Sequence, residues 1–296
     1  MELVSEIKEY YSKKRTAVAL GKFNGFHRGH RALLNKIMEY SCNEINSVLY
    51  VFDINEKSLL TKEEMLDYLG DSVDTLIICS LEDFIKKMSG QTFVEEVLVK
   101  RLSAKYIVVG EDFRFGHNRE GDVSVLRKYS QQYDYYVDVV PKVMYEDKAI
   151  SSSYIKKVLE RGEVHLANSL LGHDYKISGV VVDGHKLGRT IGFPTINLVP
   201  PCSKILPLLG VYGCSVFIDD KVYKGICNIG EKPTVTKETK PVVESHIFDF
   251  DGDAYGKKAS VKPLFLVRPE KKFNTIEELK IQIGRDIEVV KGSFWL

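Results

Sequence analysis

The chain opens with a regular exchange of short apolar runs and amphipathic stretches. Apolar, β-branched runs at 16–20, 47–52, 74–79, 105–110 and 135–140 predict strands. Apolar residues at helical spacing predict helices near 30–42, 61–69, 91–103 and 121–132. Strand–helix alternation of this kind builds a parallel, doubly wound sheet with right-handed crossovers. Ligands of such sheets lie beyond the carboxyl ends of the strands, so chemistry is expected just after Leu20 and just after Gly110.

From Ser151 the pattern stays helical to about Leu171 and then changes character. Runs at 175–182, 211–218, 222–228, 243–250 and 260–267 read as strands with partial alternation, separated by Asp183-Gly184, Asp219-Asp220 and Asp251-Gly252. Short strands with such turns predict a mainly antiparallel barrel or sandwich. Thr275, with Glu278 three residues on, is a capping box that opens a closing helix to about Val290. The change of pattern divides the chain into 1–170 and 171–296.

At 296 residues and 44% apolar content, two domains can each bury a core. The 42 basic and 41 acidic residues leave a net charge of +1, which gives no bulk attraction to nucleic acid or to an anionic membrane, and neither is expected as a partner. The five cysteines are scattered without C-x-x-C spacing, and are expected to be buried small hydrophobes in a reducing compartment. Residues 1–15 are charged and amphipathic with no apolar signal core, and no apolar run approaches the roughly 20 residues that span a bilayer. The expectation is a soluble, cytoplasmic protein.

Three segments of the first half bear chemistry. Gly21-Lys22-Phe23-Asn24-Gly25-Phe26-His27-Arg28-Gly29-His30 runs from a strand into a helix, where unpaired N–H groups favour an anion. His27 and His30 share one face of that first turn and are placed to stabilise charge developing on a bound triphosphate. A helix-capping histidine or a half-formed metal site leaves the same pattern. Gly110-Glu111-Asp112-Phe113-Arg114-Phe115-Gly116 follows the fourth strand, and reads equally as a polar loop with two buried phenylalanines. Ser151, Ser152 and Ser153 start a helix with Lys156 one turn later, an arrangement that also serves plain capping.

In the second half, Gly184-His185-Lys186-Leu187-Gly188-Arg189-Thr190 packs glycines and cations into a loop suited to phosphate oxygens. Thr195 and Asn197 place two neutral oxygens on one face if extended, a set that suits Mg²⁺ when ATP brings the anionic ligands. Glu244 lies within an otherwise apolar strand, where it is either a general base or a glutamate on a barrel's wet face.

Together these segments resemble the prokaryotic bifunctional riboflavin kinase/FMN adenylyltransferase (FAD synthetase) family over nearly the whole chain. The first half is similar to that family's G-x-F-D-G-x-H-x-G-H turn, its G-x-D-F-x-F-G loop and its I-S-S-T-x-x-R helix start. The second is similar to its G-R-x-x-G-F-P-T-A-N loop, its N-I-G-x-x-P-T segment (Asn228 to Thr234) and its E-x-H-x-x-D-F strand from Glu244. Asp253, Tyr255, Gly256, Arg268-Pro269-Glu270 and Phe273 also look like family positions.

The resemblance implies an FMN adenylyltransferase-like α/β nucleotidyltransferase domain, then a six-stranded riboflavin-kinase barrel with a C-terminal helix. It implies Mg-ATP on Gly184, Lys186, Gly188, Arg189 and Thr190, with Thr195 and Asn197 at the metal and Glu244 as base toward riboflavin. In the first domain it implies His27 and His30 on the phosphates of a second ATP. Gly21, Phe23, Asn24, Gly25, Gly29, Ser151, Ser152, Ser153 and Lys156 would join them, with AMP passing to FMN to make FAD. Asp112, Phe113 and Arg268 would meet flavin. The ligands implied are riboflavin, FMN, FAD, ATP and ADP. Departures gather in the first domain. Asn24 replaces the usual aspartate, Lys156 the usual arginine and Ser153 a threonine, and Phe52-Asp53-Ile54-Asn55 lacks the usual proline- and histidine-bearing loop. In the kinase motifs only Ile196 departs, from alanine. The expectation is a bifunctional enzyme with the stronger kinase; a kinase with a degenerate first domain and a flavin-sensing module are the alternatives.

Overall fold

The computed structural model describes all residues except 54–56, 81–86, 184–186, 234–238 and 294–296, and the side chains except those of 53, 80, 187, 189, 232, 233, 239 and 240. The chain forms two compact units. One comprises Met1–Glu56 and Lys62–Ser151, the other Lys57–Thr61 and Ser152–Leu296.

The first unit is built on a six-stranded sheet in the order β1-β4-β3-β2-β5-β6. Its strands are β1 (Glu2–Val4), β2 (Arg15–Gly21), β3 (Ile45–Asp53), β4 (Thr75–Ser80), β5 (Ala104–Gly110) and β6 (Tyr136–Val140), and every pairing is parallel. Central strands read as continuous apolar runs because helices cover both faces, as Ala17, Val18, Ala19 and Leu20 at 0–1% exposure illustrate. Helices Arg28–Tyr40, Lys62–Leu69 and Val123–Ser130 match the spacing-based expectation. The predicted helix near 91–103 is a short turn, Gly90–Thr92, that widens into a π-helix over Phe93–Arg101. β1, three residues at the sheet edge, falls in the stretch read as merely amphipathic.

The second unit is a closed antiparallel barrel, β10-β13-β12-β11-β14-β9. Its strands are β9 (Ile177–Val182), β10 (Ile196–Val199), β11 (Gly210–Ile218), β12 (Lys221–Pro233), β13 (Thr239–Ile247) and β14 (Lys258–Pro269). Five of the six coincide with predicted runs, and β10 is the strand that periodicity did not show. A ribbon, β7 (Met144–Tyr145) with β8 (Lys148–Ala149), precedes the barrel in the chain. Helices Ser152–Glu160 and Val164–Leu171 belong to the barrel unit, with Ile155, Val158, Leu159, Leu170 and Leu171 at 0% exposure. Leu208 N–H donates to the Leu159 carbonyl at 2.8 Å, and Tyr175 N–H to Asn168 Oδ1 at 2.8 Å.

The Lys57–Thr61 segment is sewn into the barrel unit. Ser58 N–H donates to Ser203 O at 2.7 Å, Ile205 N–H returns to Ser58 O at 2.8 Å, and buried Lys204 donates from Nζ to Leu59 O at 2.7 Å. The closing helix, Ile276–Ser293, carries the expected cap: Glu278 N–H donates to Thr275 Oγ1 at 3.1 Å, and its carboxylate accepts from Asn274 N–H at 3.1 Å. Cys79, Cys214 and Cys227 are buried as expected, but Cys42 and Cys202 are exposed because both lie in surface connections rather than core strands. Among the described residues no helix is long and apolar enough to cross a membrane.

Candidate active sites

In the first unit β2 lies between β3 and β5, so the strand order reverses there and the Gly21 and Gly110 ends flank the switch point. The chain leaves β2 through a tight turn with Phe23 at φ 46° and Phe26 at φ 43°, left-handed values that bulky residues adopt only under constraint. Burial of both rings, at 2% and 0% exposure, supplies that constraint. His27 is then the N-cap of the helix Arg28–Tyr40, its Nδ1 accepting from His30 N–H at 3.4 Å. The two imidazoles stack with centroids 3.7 Å apart, and Phe23 approaches the His30 ring at 5.1 Å. A Cβ at Gly29 would sit 3.1 Å from His27 Cε1, so glycine lets the imidazole lie along the first turn. Burial, and secondarily His27, holds the His30 pKa well below its ordinary 6.5. His30 Nδ1 is enclosed and has no hydrogen-bond partner among the described residues.

Gly21, Phe23, Asn24, Gly25, His27, Gly29 and His30 thus form one continuous turn at the sheet's carboxyl edge. After β5, Asp112 is exposed with its carboxylate 3.3 Å from Lys142 Nζ, and Phe113 is half-buried and stacked on Phe115 at 5.5 Å. Ser151 and Ser153 are exposed, Ser152 and Lys156 half-buried, and Lys156 Nζ donates to the Lys57 carbonyl at 3.3 Å.

In the barrel unit, cross-strand register gathers the predicted groups into a belt. Val182 faces Asn197, which faces Glu244; Glu244 faces Asn228, which faces Val211, which faces Arg268. Directly opposed residues share a face of the sheet, so Asn197, Glu244 and Asn228 form one polar row. Glu244, Asn228, Thr195, Gly188 and Arg268 line a cavity of about 240 Å³, whose other walls include Val211, Ile226, Leu279 and Ile283. Asn197 is buried beside Glu244 at 7% exposure. The Phe193-Pro194-Thr195 turn is held by His246, whose Nδ1 lies 2.8 Å from Pro194 O. Thr190 is exposed; Gly184, Lys186, Ile54, Asn55 and Thr234 lie outside the described residues, as does the side chain of Arg189.

Asn228 stands in a motif that the sequence displays, but its place beside Glu244 comes only from the β12–β13 register. Asp286 also lines the cavity and was missed. Its signal was available: it shares the apolar stripe of its helix with Ile283, Ile287 and Val290.

Comparison with known proteins accounts for both units. The FAD synthetase family matches residues 10–154 and the riboflavin kinase family residues 171–294. A bifunctional riboflavin kinase/FMN adenylyltransferase of Buchnera aphidicola subsp. Schizaphis graminum is 34% identical over 295 residues, covering 94% of each chain. The Escherichia coli K12 protein of the same name is 36% identical over 292 residues, covering 94% of this chain and 93% of its own. The Bacillus subtilis one is 34% identical over 298 residues, at 95% and 92%. The crystal structure of a protein named as a macrolide-efflux protein from Streptococcus pneumoniae is similar at TM-score 0.85 and 29% identity, over 98% of both chains. With both family domains present in order and relatives this similar over nearly its full length, the chain belongs to the bifunctional riboflavin kinase/FMN adenylyltransferase family of flavin-cofactor biosynthesis.

Proposed function

We propose that the barrel unit transfers the γ-phosphate of ATP to riboflavin, giving FMN and ADP, and that the first unit transfers AMP from a second ATP to FMN, giving FAD and pyrophosphate. The observation that carries the kinase reading is the Asn197–Glu244–Asn228 row, of which Glu244 and Asn228 line the cavity. Glu244 takes the proton of the ribityl 5′-hydroxyl as its oxygen bonds to the γ-phosphorus and ADP departs. Thr195 and Asn197 offer neutral oxygens to the Mg²⁺ that accompanies ATP, and the donor chemistry fits because the phosphates bring the negative charge. Gly184, Lys186, Gly188, Arg189 and Thr190 cradle those phosphates, and Arg268 meets the flavin.

In the first unit His27 and His30 act on the triphosphate at the mouth of the turn, with Gly21, Phe23, Asn24, Gly25 and Gly29 shaping its bed. An FMN phosphate oxygen attacks the α-phosphorus and pyrophosphate leaves. Asp112 and Phe113 border the flavin, and Ser151 joins the phosphate contacts. The division of activities falls near Leu171, and the enzyme works in the cytoplasm, where ATP is available.

Riboflavin with Mg-ATP, products resolved by chromatography, tests the reading: FMN and FAD should both appear. Glu244→Gln keeps the shape but not the basicity, so FMN turnover should fall roughly 10²–10⁴-fold with ATP binding unchanged. Near-parental turnover by that variant would place the base elsewhere.

A further inference from the structure

Asp286 is 3% exposed in the apolar stripe of the closing helix, where an unpartnered carboxylate is costly. Both of its oxygens are engaged. Oδ2 accepts from Arg268 Nε at 2.9 Å, and Oδ1 accepts from Gln282 Nε2 at 2.8 Å. A buried pair of this kind adds little net stability compared with apolar packing.

The barrel delivers Arg268 to this contact by a local irregularity. The β11–β14 register shifts between Val211 and Tyr212, which leaves Val267 as an extra residue and turns Arg268 toward the helix. Gly210 permits the approach, since a Cβ there would collide with the Arg268 carbonyl. Beyond Asp286, the guanidinium is held by Nη1 donating to Pro269 O at 3.2 Å and by the face of Phe273 at 5.5 Å. Nη2 has no partner among the described residues, and Arg268 lines the cavity together with Asp286.

We propose that Asp286 is a positioning residue of the kinase: acting through Arg268, it fixes the guanidinium on the cavity wall so that Nη2 meets a carbonyl oxygen of the flavin ring. The apolar walls Val211, Ile226, Leu279 and Ile283 suit a planar ring, and a planar donor held at one edge sets its register. The inference rests on the cavity's being the riboflavin kinase site.

The test is steady-state kinetics of riboflavin phosphorylation in the full-length enzyme. Asp286→Asn should raise the riboflavin KM about 10–100-fold, the factor one charge-assisted hydrogen bond carries, with kcat within about threefold and the ATP KM unchanged. Because Asp286 acts through Arg268, adding it to Arg268→Gln should cost nothing further. A parental kcat and melting transition report that the barrel is folded. If Asp286→Asn fails to fold, Gln282→Leu carries the question, and should raise the riboflavin KM roughly 3–10-fold. Unchanged KM in either folded variant, or additive losses with Arg268→Gln, overturns the proposal. A parent enzyme that makes no FMN from riboflavin overturns the reading of the cavity instead.

Discussion

His27 and His30 show how a short turn sets a residue's chemistry. His30 stacks on His27 beneath two phenylalanines, so protonation there costs both hydration and repulsion, and its pKa lies well below 6.5. The unfolded chain protonates this imidazole near its ordinary pKa while the native chain does not. The unfolded state therefore binds more protons as pH falls through about 6.5, and stability drops until the native pKa is reached. The first unit's low-pKa carboxyls, Asp74, Glu95, Asp122 and Asp134, act at lower pH than this imidazole. Asp122 and Asp134 are held below 3.8, chiefly by hydrogen bonds from Ser124 and Lys105, and they lose their contribution only as pH falls below that ordinary value. Denaturant midpoints at pH 7 and pH 5 should therefore separate parent from His30→Gln, the variant showing the flatter dependence. Equal slopes would mean His30 is freely protonated in the native state. The histidine pair was legible in the sequence. Its depressed basicity was not, because that depends on the rings of Phe23 and Phe26 folding over it.

At the scale of elements, legibility followed length and one-sided burial. β11 and β14 are long, and their runs of apolar residues stood out. β10 is four residues long, and Asn197 and Leu198 are both buried at 7% and 0%, so no polar–apolar alternation remains to be read. β1 is shorter still, an edge strand recognisable only through its pairing with β4. The helices Ser152–Glu160 and Val164–Leu171 were legible as helices, but not as cover for the barrel. Gly162, between them, lies so close to the barrel that a Cβ would reach Leu266 at 2.9 Å. Each fully buried leucine is worth about 1.5–3 kcal/mol, so losing Leu159 and its neighbours costs several kcal/mol of a domain stability near 5–15 kcal/mol. A fragment of residues 152–296 should therefore melt roughly 10 °C or more above one of residues 171–296. Both should form FMN wherever they are folded, since the cavity-lining residues all lie beyond Leu171. Equal melting temperatures would show that the two helices contribute no cover.

At the scale of the whole molecule, two reactions in series share one chain, so the slower of the two sets how much FMN accumulates. The two-unit plan was visible as a change of pattern. The transfer of Lys57–Thr61 into the barrel unit was not, because its anchor Lys204 stands 145 positions from Leu59 in sequence. The departures from the family pattern, Asn24 and Lys156, are at positions that the resemblance assigns to adenylyl transfer, where charge grows on the α-phosphate oxygens. A guanidinium holds two such oxygens in a planar fork, whereas lysine offers a compact point charge. Lys156 here also donates to the Lys57 carbonyl at 3.3 Å. Losing one well-placed donor costs about 10²-fold in rate, as for an oxyanion contact. The parent should therefore accumulate FMN and convert it slowly. Lys156→Arg should raise FAD formation from FMN and Mg-ATP by roughly 10–100-fold while leaving riboflavin phosphorylation within about twofold. His30→Ala should abolish FAD formation and spare FMN formation. Rapid FAD synthesis by the parent, unimproved by arginine, would show that lysine suffices. FAD synthesis that survives His30→Ala would move the adenylyl site away from the turn after β2.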